Sequence, residues 1–158
     1  LGNSHFVHVP YNTFKTKTDM IVIACVGDRF WPPLLDLLDD NELRDQRLEF
    51  APARLNEKAY IEERITKVLA NHEADYWLER LEAARIPCAR VNNVAQAITD
   101  PQITARNMVV ELQHPVEGSA HVPGNPIKLS DTDGDTYSPP PLLGAHNEDV
   151  MKEWLNKD

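Results

Sequence analysis

The feature that most constrains the fold is an unbroken apolar run at residues 20–26 (MIVIACV), which is rich in β-branched residues. A run of this length between turn-forming residues is typical of a strand that is buried on both faces. The polar segment 15–19 precedes it, and the alternating segment 11–14 precedes that. The sequence therefore predicts a hairpin whose second arm is the buried strand, with helices packed on it.

Helical patterns follow this hairpin. Asp28, ahead of two prolines, predicts a capped helix over residues 32–38 with an irregular first turn. Residues 56–70 have apolar positions at helical spacing, with Asn56 as the N-cap and Glu63 and Lys67 as an exposed i,i+4 pair. The other predicted elements are a helix at 75–85, a strand at 86–91, short helices at 93–98 and 102–106, strands at 108–114 and 119–122, and a terminal helix at 147–156. Together they predict an α+β fold, in which a small antiparallel sheet packs with helices and an extended Pro-rich segment ends in a helix.

Composition narrows the functional classes. The 158 residues predict one domain plus tails, and the net charge of −9 without a basic cluster disfavours a nucleic-acid partner. No apolar run approaches the roughly 20 residues that span a bilayer, so we expect no membrane association. Cys25 and Cys88 lie in apolar segments, which predicts reduced thiols in a cytoplasmic protein and leaves a disulfide between them open.

Motifs for catalysis or metal binding are weak. None of the six histidines shares a segment with a Cys or carboxylate at zinc-site spacing, so we expect no metal. Residues 131–135 (DTDGD) begin like a calcium loop, but the sixth and twelfth positions hold Thr136 and Leu142 instead of Gly and Glu, which favours a solvated turn. No phosphate-binding loop or serine-nucleophile motif is present. The residues alone indicate a soluble module without a self-sufficient catalytic group.

A series of short motifs goes further. They are GNSH at 2–5, PYNTF at 10–14, IVIA at 21–24, GDR at 27–29, WLERLEAA at 77–84, IPC at 86–88, RVNNV at 90–94, DPQ at 100–102, RNMV at 106–109, GNPIK at 124–128 and PPLLGAH at 140–146. In this order and spacing the chain resembles the C-terminal third of family III CoA-transferases, the family of formyl-CoA transferase and carnitine CoA-transferase.

The resemblance implies an enzyme that moves CoA between an acyl-CoA and a carboxylic acid, with the thioester as substrate and no tightly bound cofactor. In that family a large domain carries the aspartate that forms the acyl-anhydride and thioester-linked intermediates. Two subunits interlock, so that each small domain packs on its partner's large domain. The expected organisation is a linker at 1–10 from a missing large domain, a small α+β domain at 11–125 and a C-terminal return segment at 126–158. We expect the chain to be inactive alone.

The resemblance also implies candidate site residues. Gly2, Asn3, Ser4 and His5 align with a glycine-rich loop that closes over the active site in formyl-CoA transferase, although only the first is glycine here. Their backbone N–H groups are expected to shield the carboxylate intermediate; a plain linker is the alternative. Gly27 and Asp28 are the second near-site candidates.

Two alternative functions stay open. The family includes α-methylacyl-CoA racemases, which place a catalytic Glu just after the buried strand, where this chain has Gly27 and Asp28. N-cap preference favours a capping role for this aspartate, and hence a transferase. The chain could also be a stand-alone interaction module with the same fold and no chemistry. In every case we expect a homodimer or self-association, because docking faces would otherwise be exposed.

Overall fold

A computed structural model describes residues 2–132, 134 and 136–155. The chain divides into two compact units, Leu1–Val91 and Asn92–Asp158, which are described separately. The boundaries expected from the sequence, at residues 10 and 125, stay a prediction. The mixture of helices with small antiparallel sheets confirms the predicted α+β class.

The first unit is built on a three-stranded antiparallel sheet. Its strands are β1 (Tyr11–Lys15), β2 (Met20–Ala24) and β3 (Cys88–Arg90), in the order β1-β2-β3. The predicted hairpin is confirmed, with its turn between β1 and β2. The apolar run thus supplies the central strand of this sheet, as its composition suggested.

The burial of β2 differs from the prediction. Ile21 and Ile23 are fully buried, whereas Met20 is 37% exposed and the intervening Val22 and Ala24 are half-buried. Side chains alternate between the two faces of a strand, so the helices of this unit cover one face only. Burial on both faces is therefore wrong within the first unit.

Four helices cover that face. They are α1 (Trp31–Leu38), α2 (Ala51–Asn56), α3 (Lys58–Leu69) and α4 (Ala74–Ala83), with 3-10 turns at Asp28–Phe30, Asn41–Arg44 and Gln46–Leu48. The apolar face of α3 packs inward as predicted, and Glu63 and Lys67 form the expected ion pair at 2.6 Å. Asn56, however, ends α2 instead of capping α3. The helix predicted at 56–70 is thus α3, which begins two residues later than expected and follows a separate short helix, α2.

One apolar core holds this unit together. Its large buried side chains are Phe14, Ile21, Ile23, Trp31, Leu34, Leu38, Leu43, Leu48, Ile61, Ile65, Leu69, Trp77, Leu81 and Ile86. Each such side chain contributes about 1.5–3 kcal/mol when it is fully removed from water. The core therefore fixes the sheet against α1, α3 and α4. It also gives a stable frame to the polar side chains at the end of the sheet where β1 begins and β2 ends.

The second unit is a strand pair with short helices. Its elements are α5 (Val94–Ile98), α6 (Pro101–Ala105), β4 (Val109–His114), β5 (Gly118–Pro123) and α7 (Asn147–Leu155). Asp100 caps α6 with Pro101 in its first turn, as the sequence indicated, and Asn93 and Gln96 form a capping box at α5 that was not predicted. On α7 the apolar side chains are exposed within this unit; Trp154 is 76% exposed.

Gly124 closes the strand pair onto the preceding segment. Its N–H donates to the Met108 carbonyl at 2.9 Å, and a Cβ at this position would lie 2.2 Å from the Asn107 carbonyl oxygen. Only glycine fits such a close approach of two backbones.

We therefore expect Gly124→Ala to lower the free energy of unfolding of the second unit by about 1–3 kcal/mol, because a backbone must shift to admit the methyl group. Gly134→Ala is the matched control, since its added Cβ would meet the Asn125 side chain at an ordinary 3.4 Å. Urea denaturation of both variants measures the difference. Equal stability of the two variants would contradict the close approach.

Candidate functional site

The sheet brings the two candidate segments to the same end of its strands. Tyr11, at the start of β1, pairs with Ala24, at the end of β2, so the residues before β1 and after β2 leave the sheet side by side. Cys25 extends the ladder by one bond, since its N–H donates to the Pro10 carbonyl at 2.9 Å. The N-terminal loop (residues 2–5) and the turn at Gly27 and Asp28 therefore share one end of the first unit.

A buried arginine joins these segments. Arg54 of α2 is only 1% exposed. Its Nε donates to the Val9 carbonyl at 3.0 Å, and its Nη1 donates to the Leu48 and Glu49 carbonyls at 3.0 and 2.7 Å. Its Nη2 donates to Asp28 Oδ1 at 2.5 Å. One side chain thus binds the segment leading into β1, the turn after β2 and the turn before α2.

Asp28 has a different role from the predicted one. Its Oδ1 accepts from Arg54 and also, at 2.9 Å, from the N–H of Ala51. Ala51 is the first residue of α2. The residue before α1 is Phe30, which makes no side-chain cap. Asp28 therefore satisfies the start of a helix 23 residues later in the chain instead of capping its own. The glycine before it has φ +101°, a conformation that a side chain would strain.

The N-terminal loop is anchored by side chains from α3 and β1. Asn3 Nδ2 donates to Thr13 Oγ1 at 3.2 Å, and the His5 N–H donates to the Tyr11 carbonyl at 3.0 Å. Two further bonds come from α3: Ser4 Oγ donates to Glu62 Oε1 at 3.0 Å, and Lys58 Nζ donates to the His5 carbonyl at 3.2 Å. The His5 N–H is therefore already occupied, and any shielding by the loop would rest on its other groups.

The His5 ring organises the turn that follows the loop. Its Nδ1 accepts from the N–H groups of Val7 and His8 at 3.0 and 3.1 Å, so the ring carries its proton on Nε2. The ring also stacks on Tyr11 at 5.0 Å and on Phe6 at 4.6 Å. Phe6 is 67% exposed and lies beside the candidate loop. His5 is thus an anchor of the turn.

Within residues 2–132, 134 and 136–155, no three His, Cys, Asp or Glu side chains are grouped so that they could hold a metal ion. The predicted solvated turn at 131–135 includes positions 133 and 135, which lie outside the described residues. In the same described part of the chain, no helix is both long and apolar enough to cross a bilayer. An apolar groove of about 450 Å³ in the second unit is lined by Ala97, Ile98, Ile103, Met108, Val109, His121, Val122 and Pro123.

Both cysteines are free thiols. Burial raises the pKa of the Cys25 thiol to about 12, and the Arg54 charge opposes this more weakly. Burial, and secondarily the Glu82 carboxylate, also raises the pKa of Cys88. A thiol that remains protonated at neutral pH is a poor nucleophile, so neither cysteine is suited to covalent catalysis.

We expect Cys25 to resist iodoacetamide in the folded protein at pH 8, since only about one thiol in ten thousand is ionised there. Unfolding in guanidinium should make it fully reactive. The free energy of unfolding should be insensitive to this thiol below its ordinary pKa of 9.0 and should fall as the pH rises from there towards 12, because only the unfolded state then loses the proton. Mass spectrometry of labelled peptides measures the reaction; rapid labelling of the native protein would contradict the burial.

Replacing Arg54 tests its role directly. We expect Arg54→Met to lower the free energy of unfolding by about 3–5 kcal/mol, because the variant leaves buried carbonyls without donors. Arg47→Met is the control: this arginine is 82% exposed and pairs with Asp45 on the surface, so its loss should have no measurable effect. Chemical denaturation compares the two. A similar denaturant midpoint for both variants would show that Arg54 does not hold the segments at this end of the sheet together.

Sequence patterns predicted the candidate segments but missed the residues that hold them. Arg54, Lys58 and Glu62 are charged residues in helical segments, and such residues ordinarily face solvent. In the sequence these residues follow the N-terminal loop by about fifty positions. Nothing in that spacing indicates a contact.

Comparisons with known proteins give a consistent result. The family model described as CoA-transferase family III matches residues 1–147. The chain is 28% identical to human succinyl-CoA:glutarate CoA-transferase, over 99% of this chain and 36% of that protein. It is 36% identical to formyl-CoA:oxalate CoA-transferase of Streptomyces coelicolor, over 82% of this chain and 31% of that protein.

A solved structure agrees with this result. The crystal structure of a CAIB/BAIF family protein from Brucella suis superimposes with a TM-score of 0.76 at 28% identity, and the match covers 97% of this chain and 39% of that one. The chain thus spans about a third of the length of the curated relatives that it matches.

Proposed function

Because the chain belongs to CoA-transferase family III, we propose that it is the small-domain part of an enzyme that moves CoA from an acyl-CoA to a carboxylic acid. The family match over residues 1–147 carries this proposal. The relatives support it, since the proteins named above act on a CoA donor and a dicarboxylic acceptor by their names. The CoA thioester would be a substrate, and no tightly bound cofactor is required.

The reactive carboxylate is proposed to be an aspartate upstream of this chain, in a large domain. Its oxygen would attack the thioester carbonyl, the C–S bond would break, and CoA would leave as a thiolate, so that the acyl group and the aspartate are joined as an anhydride. The thiolate would then attack the aspartyl carbonyl and release the donor acid, which leaves CoA on the enzyme for the acceptor. Such covalent catalysis needs a free nucleophile. Asp28 is bound through its Oδ1 to Arg54 and the Ala51 N–H, and the proposed nucleophile lies upstream, so we expect this chain alone to be inactive.

Two segments are proposed to face that intermediate. The N-terminal loop, Gly2 to His5, would cover it and limit the access of water, and the turn at Gly27 and Asp28 would lie beside it. Both segments leave the sheet at the same end of its strands, which supports a shared role. A loop held by hydrogen bonds to α3 and β1 would act as a fixed wall.

The setting of Asp28 favours transfer over racemisation. A racemase would need a carboxylate free to take a proton from the substrate's α-carbon. The Asp28 oxygen that meets Arg54 is instead the acceptor that joins two turns and the start of α2. We therefore assign Asp28 a structural role beside the site.

The proposed assembly is a homodimer in the cytoplasm. The exposed apolar residues of α7 support an uncovered docking face, which a large domain of the same or a second subunit would occupy. A stand-alone interaction module would use the same faces but would catalyse nothing.

The test is an assay of the protein that carries this chain together with its large domain. Succinyl-CoA, acetyl-CoA and formyl-CoA would be offered in turn with ¹³C-labelled glutarate or oxalate in D₂O. We expect labelled acid to appear as its CoA thioester without deuterium entering the α-position of the donor. The 158-residue chain alone is the control, and it should yield none.

Each contrary outcome identifies another function. Deuterium at the α-carbon of acetyl-CoA or succinyl-CoA without CoA transfer would show α-proton transfer, the chemistry of a racemase. Tight binding between subunits, with neither transfer nor exchange across this panel of donors and acids, would favour the interaction module.

A further inference from the structure

Glu62 bridges two segments that are separate in the sequence. Its Oε1 accepts from Ser4 Oγ at 3.0 Å, and its Oε2 accepts from Asn12 Nδ2 at 3.0 Å. Each carboxylate oxygen therefore holds a different strand of polypeptide: the N-terminal loop on one side and β1 on the other. The carboxylate is half-buried, where a charge-assisted hydrogen bond is stronger than one between neutral groups.

The same face of α3 carries a second contact to the loop. Lys58 lies four residues before Glu62, and residues at this spacing lie on one face of a helix. Its Nζ donates to the His5 carbonyl at 3.2 Å. Two consecutive loop residues are thus held by two consecutive turns of one helix, and the core packing of Ile61 and Ile65 fixes that helix against the sheet.

We propose that Glu62 is a positioning residue that keeps the N-terminal loop closed over the reacting carboxylate. The proposal rests on the function proposed above and names the side chain through which the loop does its work. Closure is maintained by the folded protein before any substrate binds, so no ordering entropy is lost during the reaction. Loss of Glu62 lets the loop open, and water then competes with the acceptor acid for the enzyme-bound intermediate.

The test compares three variants of the full enzyme. Glu62→Ala removes both hydrogen bonds. Glu62→Gln can keep both, because its amide oxygen accepts from Asn12 and its amide nitrogen donates to Ser4 Oγ. Glu63→Ala is the matched control, since the neighbouring Glu63 is exposed and pairs with Lys67 away from the loop.

The readout is the ratio of acyl-CoA hydrolysis to CoA transfer, measured as free thiol against new thioester. We expect Glu62→Ala to raise this ratio about tenfold, because the loop loses its bond from Ser4 to the carboxylate and β1 loses the bond from Asn12. Glu62→Gln should stay within about twofold of the wild type, and Glu63→Ala should not differ from it. A purely structural loss would lower the amount of active enzyme but leave the ratio unchanged.

Hydrogen exchange gives a second readout that needs no activity. The His5 N–H is bonded to the Tyr11 carbonyl, and the Val7 and His8 N–H groups are bonded to the His5 ring. In Glu62→Ala these amides should exchange about tenfold faster, while those of β2 do not change. Ser4→Ala removes the same bond between the loop and Glu62 but keeps the Asn12 bond, so it should give a similar increase and covers the case in which Glu62→Ala folds poorly.

The outcomes separate the two proposals. An enzyme that transfers CoA, but whose hydrolysis ratio and loop exchange are the same in Glu62→Ala and wild type, overturns the role of Glu62 alone. A rise in the ratio in Glu63→Ala as large as in Glu62→Ala overturns it as well. A wild-type protein that transfers no CoA overturns the proposed function, and the exchange of the loop then still decides whether Glu62 holds it.

Discussion

The Arg54 guanidinium is the contact on which the candidate site depends. A charged group inside a protein is costly unless it is paired and its hydrogen bonds are made. Here the Asp28 carboxylate balances the charge, and three backbone carbonyls, at Val9, Leu48 and Glu49, accept from three further N–H groups. These carbonyls belong to turns and loops, which have no ladder of their own at those positions. One side chain therefore provides, at this end of the sheet, the hydrogen bonds that a helix or strand would provide elsewhere.

Around this arginine the first unit has two layers of organisation. The apolar core fixes the sheet and its helices. Polar side chains from α2 and α3 then bind the loops at the end of the sheet where β1 begins and β2 ends. The first layer is non-directional and supplies most of the stability, whereas the second sets positions to within a hydrogen bond. This division suits a domain whose proposed task is to hold a wall beside chemistry that occurs on another part of the enzyme.

Local patterns predicted the fold better than the site. The hairpin, the inward face of α3, the cap at Asp100 and the strand pair after it all follow from spacing within a few residues. The family resemblance suggested the loop and the turn as candidates, but the contacts that tie them to α2 and α3 join residues 23 to 58 positions apart. Such contacts depend on how elements pack, so sequence spacing predicted a cap at Asp28 where the structure has an ion pair with the buried Arg54.

The central claim is that this chain positions the reaction and that the reacting carboxylate lies outside it. The direct measurement is to mix the protein carrying this chain with acyl-CoA, trap the covalent intermediate with hydroxylamine and map the modified carboxylate by peptide mass spectrometry. We expect the modification on an aspartate outside residues 1–158. A modified Asp or Glu within these residues, Asp28 above all, would contradict the claim.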